Sequence, residues 1–224
     1  MVSWTCCAVV GSFADWVCEP SLYPEAVIDH LAGPSDNPFQ IVVLCMGNIC
    51  RSPMAEGLLR KRIDERKINA HVHSAGRLQS GRPADRHSIE VLAKRGIDIR
   101  SHRSRTNSVQ ILEPANLVIA MAREHVRDAV TVHSPAWPRT FTLKELVRRG
   151  EANGKRPQDV SIETWLGHLH AGRERRDLLG ESHIDDIEDP YGYSREVFEQ
   201  LAGELDDLTA RMINLMWPDS EITQ

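Results

Sequence analysis

The chain has 224 residues, of which 41% are hydrophobic and 26% charged, with a net charge of −5. It is long enough to bury a core without disulfide or metal staples and too apolar to stay disordered as a whole. No apolar run approaches the roughly 20 residues that span a bilayer, and an acidic chain has no general attraction to a phosphate backbone, so an integral membrane protein is excluded and a nucleic-acid binder disfavoured.

Residues 1–38 carry Gly11, Pro20, Pro24, Gly33, Pro34 and Pro38 with little periodicity and read as an extension holding one short helix, Glu25 to Leu31. Cys6, Cys7, Cys18, Cys45 and Cys50 all fall in the first quarter, the wrong distribution for a disulfide framework, so a reducing, cytoplasmic compartment is expected. The apolar start has no Lys or Arg before it and meets Asp15 and Glu19 soon after, which argues against a cleaved signal peptide. Ile41 to Leu44 is a continuous apolar, β-branched run ending at Cys45, the pattern of a strand covered on both faces. After Gly47 and Asn48, Pro53 suits a first helical turn, and Met54, Ala55, Leu58, Leu59 and Ile63 predict a helix to Arg66. A strand over Ala70–Ser74, a helix over Ala84–Arg95 closed by Gly96, and a buried strand over Leu117–Ala120 follow. Glu124 to Ala129 reads as helical and Thr140 to Leu143 as a fourth strand. Arg148 to Asp186 is polar and holds one predicted helix, Ser161–Gly172; the last element is a long amphipathic helix, Arg195–Met216. The alternation implies an α/β fold, three layers, doubly wound, with a central four-stranded parallel sheet and helices on both faces. The expected organisation is an extension (1–38), one domain (39–217) with an insertion at about 150–183, and a tail (218–224).

In an open parallel sheet, ligands bind beyond the carboxyl ends of strands, where helix N-termini present free N–H groups. Cys45-Met46-Gly47-Asn48-Ile49-Cys50-Arg51-Ser52 stands at such a place. It offers a thiol at the strand end, Gly47 and Asn48 where the backbone must turn sharply, and Arg51 at the helix start. Loop amides from Met46 to Arg51 could cradle a phosphate-like dianion while the guanidinium grips two of its oxygens. A helix N-terminus beside a cation favours thiolate over thiol, so Cys45 is expected to be a nucleophile. A bare Cys-x5-Arg arises by chance about half a time in such a chain, but adding Gly two residues after the Cys and Ser after the Arg lowers this to roughly 0.003.

Val43 to Glu56 resembles the signature of the low-molecular-weight protein-tyrosine phosphatases. Ser74-Ala75-Gly76, Gly96-Ile97-Asp98, Ser101-His102 and Asp189-Pro190-Tyr191 resemble further segments of that family. The likeness covers about Gln40 to Ser134 and Ile184 to Trp217. It implies hydrolysis of phosphotyrosine and small aryl phosphates through a cysteinyl-phosphate, with Cys45 as nucleophile, Arg51 holding the equatorial oxygens and Asp189 as general acid and base. The substrate would be a phosphotyrosine protein held by Met46, Gly47, Asn48, Ile49, Cys50, Ser52 and Tyr191. Ser74, His102 and Asn48 would fix the loop, Ser52 would steady the leaving sulfur, and Cys50 would pair reversibly with Cys45 under oxidation. Neither a cofactor nor a metal is required. From the residues alone, Cys50 is equally a small buried side chain, and Asp185, Asp186, Glu188 and Asp189 equally a solvated acidic run.

Three other readings compete. An arsenate reductase of this fold needs further cysteines, and none follows Cys50, so only one served by an external thiol fits. Phosphoarginine hydrolysis occurs in relatives with Thr at the position of Ile49. A non-catalytic phosphate-binding protein would not need Cys45. Departures from the family are Tyr191-Gly192-Tyr193 in place of adjacent tyrosines and the lack of an aromatic residue from Arg77 to Pro83. His71 with His73, and His168 with His170, each lack a third ligand at a suitable spacing. The insertion precedes the acid segment and is expected to border the cleft. The sequence leaves the oligomeric state open.

Overall fold

The computed structural model describes residues 37–78, 80–179 and 183–219. The expected helix at Glu25–Leu31 lies outside them, as do most of the extension and of the tail.

Four strands form one all-parallel sheet: β1 (Phe39–Cys45), β2 (Ala70–Gly76), β3 (Leu117–Ala120) and β4 (Thr140–Thr142), in the order β2-β1-β3-β4. The central strand β1 is apolar on both faces because both are covered. Ile41 and Val43 face the larger core with Cys45, while Val42 and Leu44 pack with Leu112, Val118 and Ala129 on the opposite side. Each such side chain, removed from water, contributes roughly 1.5–3 kcal/mol. The register sets Cys45 beside Gly76 and Leu44 beside Ala120. The chain leaves β1 between strands reached by crossovers in opposite directions, so the loop after Cys45 opens into the crevice at the switch point of the sheet.

The helices are α1 (Arg51–Glu65), α2 (Arg86–Ala93), a single turn α3 (Val109–Leu112), α4 (Arg123–Val132), α5 (Leu143–Asn153), α6 (Ile162–His170) and α7 (Arg195–Met216). On one face α7 packs on α1, α2 and α5 through Phe198, Leu201, Leu205, Leu208 and Met212. The other face is covered by α3 and α4.

Two expectations need correction. The fourth strand stops at Thr142, because Leu143 opens α5, with the Thr142 hydroxyl accepting from Glu145 N at 3.1 Å as its N-cap. The segment read as a polar insertion from Arg148 therefore begins inside a core helix, with Leu146 and Val147 buried. Beyond α5, α6 turns Trp165, Leu166 and Leu169 inward, and Arg173 is clamped between the rings of Trp137 and Phe141, 4.1 Å from each centroid.

Candidate active site

Cys45, the last residue of β1, is 3% exposed, and α1 begins six residues later at Arg51. The first turn of α1 contains no acidic side chain, so nothing in it neutralises the positive end of the helix. The sharp turn between strand and helix is made at Asn48, whose φ is +50°, and not at Gly47, whose φ is not positive. Asn tolerates the left-handed region because its side chain can bond locally. Gly47 serves space: a Cβ there would lie 3.3 Å from Ile49.

Asn48 is the hub of the loop. Its Nδ2 donates to Ser52 Oγ at 2.9 Å and to Ser74 Oγ at 2.8 Å, and its Oδ1 accepts from Arg105 N at 2.9 Å. Its carbonyl accepts from His102 Nε2 at 2.8 Å, and its own N–H donates to Cys45 Sγ at 3.2 Å. Ser52 Oγ accepts from Asn48, so its hydrogen is free to point at Cys45 Sγ, 3.0 Å away. Two donors thus converge on the sulfur. Ser74 passes the chain of bonds on, donating to Glu56 Oε2 at 2.5 Å, and Glu56 is paired with Arg60. Asn48, Ser52, Ser74 and His102 are thus brought into one network, which also holds the buried Glu56, a residue the sequence did not single out.

The amides of Gly47, Ile49, Cys50 and Arg51 have no acceptor among the described residues. Gly76 makes the cradle possible, because a Cβ on it would lie 2.8 Å from both Asn48 N and Met46 O and 2.9 Å from Cys45 O. Arg51 is 4% exposed; Nη1 donates to Ile187 O at 2.9 Å and Nη2 to Asp189 Oδ2 at 2.5 Å. Asp189, with a side chain 44% exposed, comes from the far end of the chain.

The segment carrying Asp189 is fixed rather than solvated. Asp185 is buried and paired with Arg148 on α5 at 2.7 Å, Asp186 Oδ1 accepts from Arg123 N at the start of α4, and Ile187 N donates to Met121 O beyond β3. Lys144 holds the Asp186 carbonyl. Tyr191 and Cys45 share a pocket of about 80 Å³ with Met46, Gly47, Ile49, Cys50, Leu78, Arg82 and Asp189. A larger cavity of about 1140 Å³ lies across Met46, Arg51 and Asp189, along α4 and α7.

Neither Cys50 nor Cys45 is in a disulfide, and the Cys50 thiol is pushed well above the ordinary range by burial first, then by the charges of Asp85 and Asp189. Cys50 therefore stays a thiol beside the nucleophile. The two histidine pairs lie elsewhere: His71 and His73 stack on β2, and His170 packs on Trp137 and Arg173.

A model of the family described as low molecular weight phosphotyrosine protein phosphatase matches residues 40–165. The chain belongs to that family. A probable low molecular weight protein-tyrosine-phosphatase, EpsP of Ralstonia solanacearum, is 35% identical over 133 residues, 59% of this chain and 89% of the relative. The protein-arginine-phosphatase of Bacillus subtilis is 27% identical over 180 residues, 80% of this chain and 97% of the relative. The crystal structure of the low molecular weight protein tyrosine phosphatase from T. tengcongensis superimposes with a TM-score of 0.61 at 31% identity, covering 79% of this chain and 98% of that one. The present phosphatase is thus an enzyme with phosphoprotein substrates. No helix among its described residues is long and apolar enough to cross a membrane.

Proposed function

We propose that the chain hydrolyses phosphotyrosine in proteins, and small aryl phosphates, through a cysteinyl-phosphate. The observation that carries this reading is that Asp189, from the far end of the chain, shares one small pocket with Cys45 and pairs there with Arg51 of the same loop. Cys45 Sγ attacks phosphorus in line, the bond from phosphorus to the ester oxygen breaks, and the carboxyl of Asp189 gives its proton to the departing oxygen. The free loop amides and Arg51 hold the equatorial oxygens, whose charge they stabilise without metal. In the second step Asp189 takes a proton from water as that water attacks phosphorus. The sulfur leaves as thiolate, held by Ser52 Oγ and Asn48 N–H. Met46, Gly47, Asn48, Ile49, Cys50 and Ser52 form the wall of the phosphate site, Tyr191 its mouth, and Ser74 and His102 its supports.

Ile49 and Leu78 give the pocket aliphatic walls that suit the faces of an aryl ring. This favours phosphotyrosine over phosphoarginine, whose charged guanidino group would be desolvated there. The thiol chemistry fits a reducing cytoplasm. The segment before the acid loop borders the larger cavity, since the carbonyls of Asp177 and Leu178 accept from Arg123 and Arg127 on its wall.

The test is steady-state hydrolysis of a phosphotyrosine peptide and of a phosphoarginine protein, under reducing conditions with chelator, by wild type and Cys45→Ser. Turnover of the tyrosine substrate that vanishes in Cys45→Ser supports the reading. A well-folded wild type that acts on phosphoarginine alone overturns the substrate, and one that only reduces arsenate with an external thiol overturns the reaction.

A further inference from the structure

Behind the catalytic loop lies a separate cavity of about 250 Å³, walled by the first turns of α1 and by the segment that follows α2. It shares no residue with the pocket that holds Cys45. Arg60, His102, Arg103 and Arg105 line it, and its carboxylates are Glu56 and Asp98. Both carboxylates are already engaged. Asp98 accepts from Nε and Nη2 of Arg100 at 2.6–3.1 Å, while Glu56 accepts from Ser74 and is paired with Arg60. Arg103 and Arg105 have no such partner. Nη1 of Arg103 donates to the carbonyls of Arg100 and His102, and the Arg105 side chain makes no hydrogen bond or ion pair among the described residues. Ser101 adds a hydroxyl that is equally without a partner among them.

The two guanidinium groups stand on one face of their extended segment because Ser104 between them turns the other way, buried, with its N–H on Arg82 O at 2.8 Å. The walls of the cavity are bonded to the hub of the catalytic loop. His102 Nε2 donates to the Asn48 carbonyl, Arg105 N donates to Asn48 Oδ1, and Glu56 reaches Asn48 Nδ2 through Ser74. Asn48 N–H in turn stands 3.2 Å from Cys45 Sγ. A ligand in this cavity is therefore one residue removed from the group that steadies the nucleophile, without touching the nucleophile itself.

We propose that this cavity is a second oxyanion site, which binds inorganic phosphate, and that its occupation slows the catalytic loop. Two guanidinium groups without an internal carboxylate hold phosphate in planar, two-point fashion with no pair to break first, and the Ser101 hydroxyl supplies a further donor. The cavity has room for such an ion together with several waters. A dianion placed behind Asn48 lowers the positive potential that favours the thiolate of Cys45 and steadies a bound phosphoryl group, so the effect is inhibitory. Phosphate is the product of phosphomonoester hydrolysis whichever side chain carries the ester. The inference therefore goes beyond the phosphotyrosine reading and does not depend on it.

The experiment is calorimetric titration of inorganic phosphate into wild type and into the double variant Arg103→Gln, Arg105→Gln at low salt. Both side chains are exposed, and the bond from residue 105 to Asn48 is made by backbone, so the variant keeps the catalytic loop. Wild type is expected to bind two equivalents and the double variant one, the second equivalent being weakened at least about tenfold by the substitutions and also by about 0.5 M chloride. In hydrolysis of an aryl phosphate at matched ionic strength, phosphate should lower the apparent kcat of wild type by about fivefold when the second site is filled, and only raise the apparent KM of the double variant. One equivalent in wild type, or two in the double variant, overturns the proposal. Two equivalents in wild type with purely competitive inhibition overturn it as well, leaving an adventitious ion only. Titration of Cys45→Ser, in which no cysteinyl-phosphate can form, should give the same two equivalents, and a single one there would place the second equivalent on the nucleophile and overturn the separate site.

Discussion

Arg51 and Asp189 lie 138 residues apart in sequence and meet at 2.5 Å. The outer nitrogens of the guanidinium fork are both committed, one to Asp189 and one to Ile187 O. Nε is buried without a partner among the described residues, so a phosphate can be held through Nε and an outer nitrogen while the Asp189 carboxyl stays at the same pocket. In the proposed reaction that neighbourhood makes Asp189 the acid for the departing oxygen.

If that is so, Asp189→Asn should cost most where the leaving group is poorest. A general acid contributes about 10²–10⁴-fold, so kcat for phenyl phosphate is expected to fall by at least about 10²-fold, and for nitrophenyl phosphate by less. Inhibition by inorganic phosphate should persist, since the cradle is intact. A uniform loss across a series of aryl leaving groups would remove Asp189 from the role of acid.

Gly76→Ala probes the cradle from outside the loop. Its methyl would meet backbone atoms at 2.8 Å, and backbone cannot swing aside as a flexible side chain can. The expected result is a loss of about 1–3 kcal/mol in stability with a larger relative loss of kcat/KM, read by thermal unfolding and aryl phosphate kinetics. An active, unperturbed alanine variant would mean that the loop tolerates displacement.

His125 on α4 is 1% exposed, and neither ring nitrogen has a hydrogen-bond partner among the described residues, although Nε2 stands 3.6 Å from Glu124 Oε1. Its basicity is pushed down to about 3, first by burial and then by the charge of Arg51. The unfolded chain, with an ordinary histidine, takes up a proton below pH 6.5 that the folded chain refuses until about pH 3. Stability should thus be intact above pH 6.5 and fall as pH drops toward 3, by up to about 1.4 kcal/mol per unit from this group. His125→Leu should flatten that part of the Tm against pH curve, and an unchanged slope would assign acid sensitivity to other groups.

Arg173 anchors the segment after α6. Besides the two rings it pairs with Glu145 at 2.8 Å and donates to Thr140 O at 2.7 Å. Arg173→Ala leaves Glu145 with only Arg149 and opens the space between Trp137 and Phe141, so a loss of about 3–5 kcal/mol is expected in denaturant unfolding. Because none of these groups touches the catalytic pocket, kcat for a small aryl phosphate should stay near wild type below the melting range. A selective loss of kcat would link this segment to the acid loop.

What could be read from the residues depended on how local the determining contacts are. The apolar run of β1, the Cys45 to Ser52 loop and the stripe of α7 carry their periodicity within a few residues, and each stands where it was expected. By contrast α5 offers only Leu143, Leu146 and Val147 among charged neighbours, and Leu143, coming straight after the β-branched Thr142, reads as the end of the strand although it opens the helix. The acidic run at 185–189 looks solvated in sequence because its partners, Arg148, Lys144 and the Arg123 amide, lie on α4 and α5. The need for glycine at 76 is equally invisible, since it arises from the register that sets it beside Cys45. The left-handed residue proved to be Asn48 rather than Gly47 because side-chain bonds hold Asn48 in place.

The order of the sheet has a consequence for synthesis. The strand that ends in the nucleophile is central, yet both of its neighbours, β2 and β3, are made after it, and the carboxylate that reaches Arg51 comes later still. On the ribosome, the emerging chain can assemble the phosphate cradle only once Gly76 and Arg105 have left the exit tunnel. The carboxylate that pairs with Arg51 follows only when Asp189 has emerged, and the helix α7 that packs on α1 comes after that, so the site closes late in synthesis.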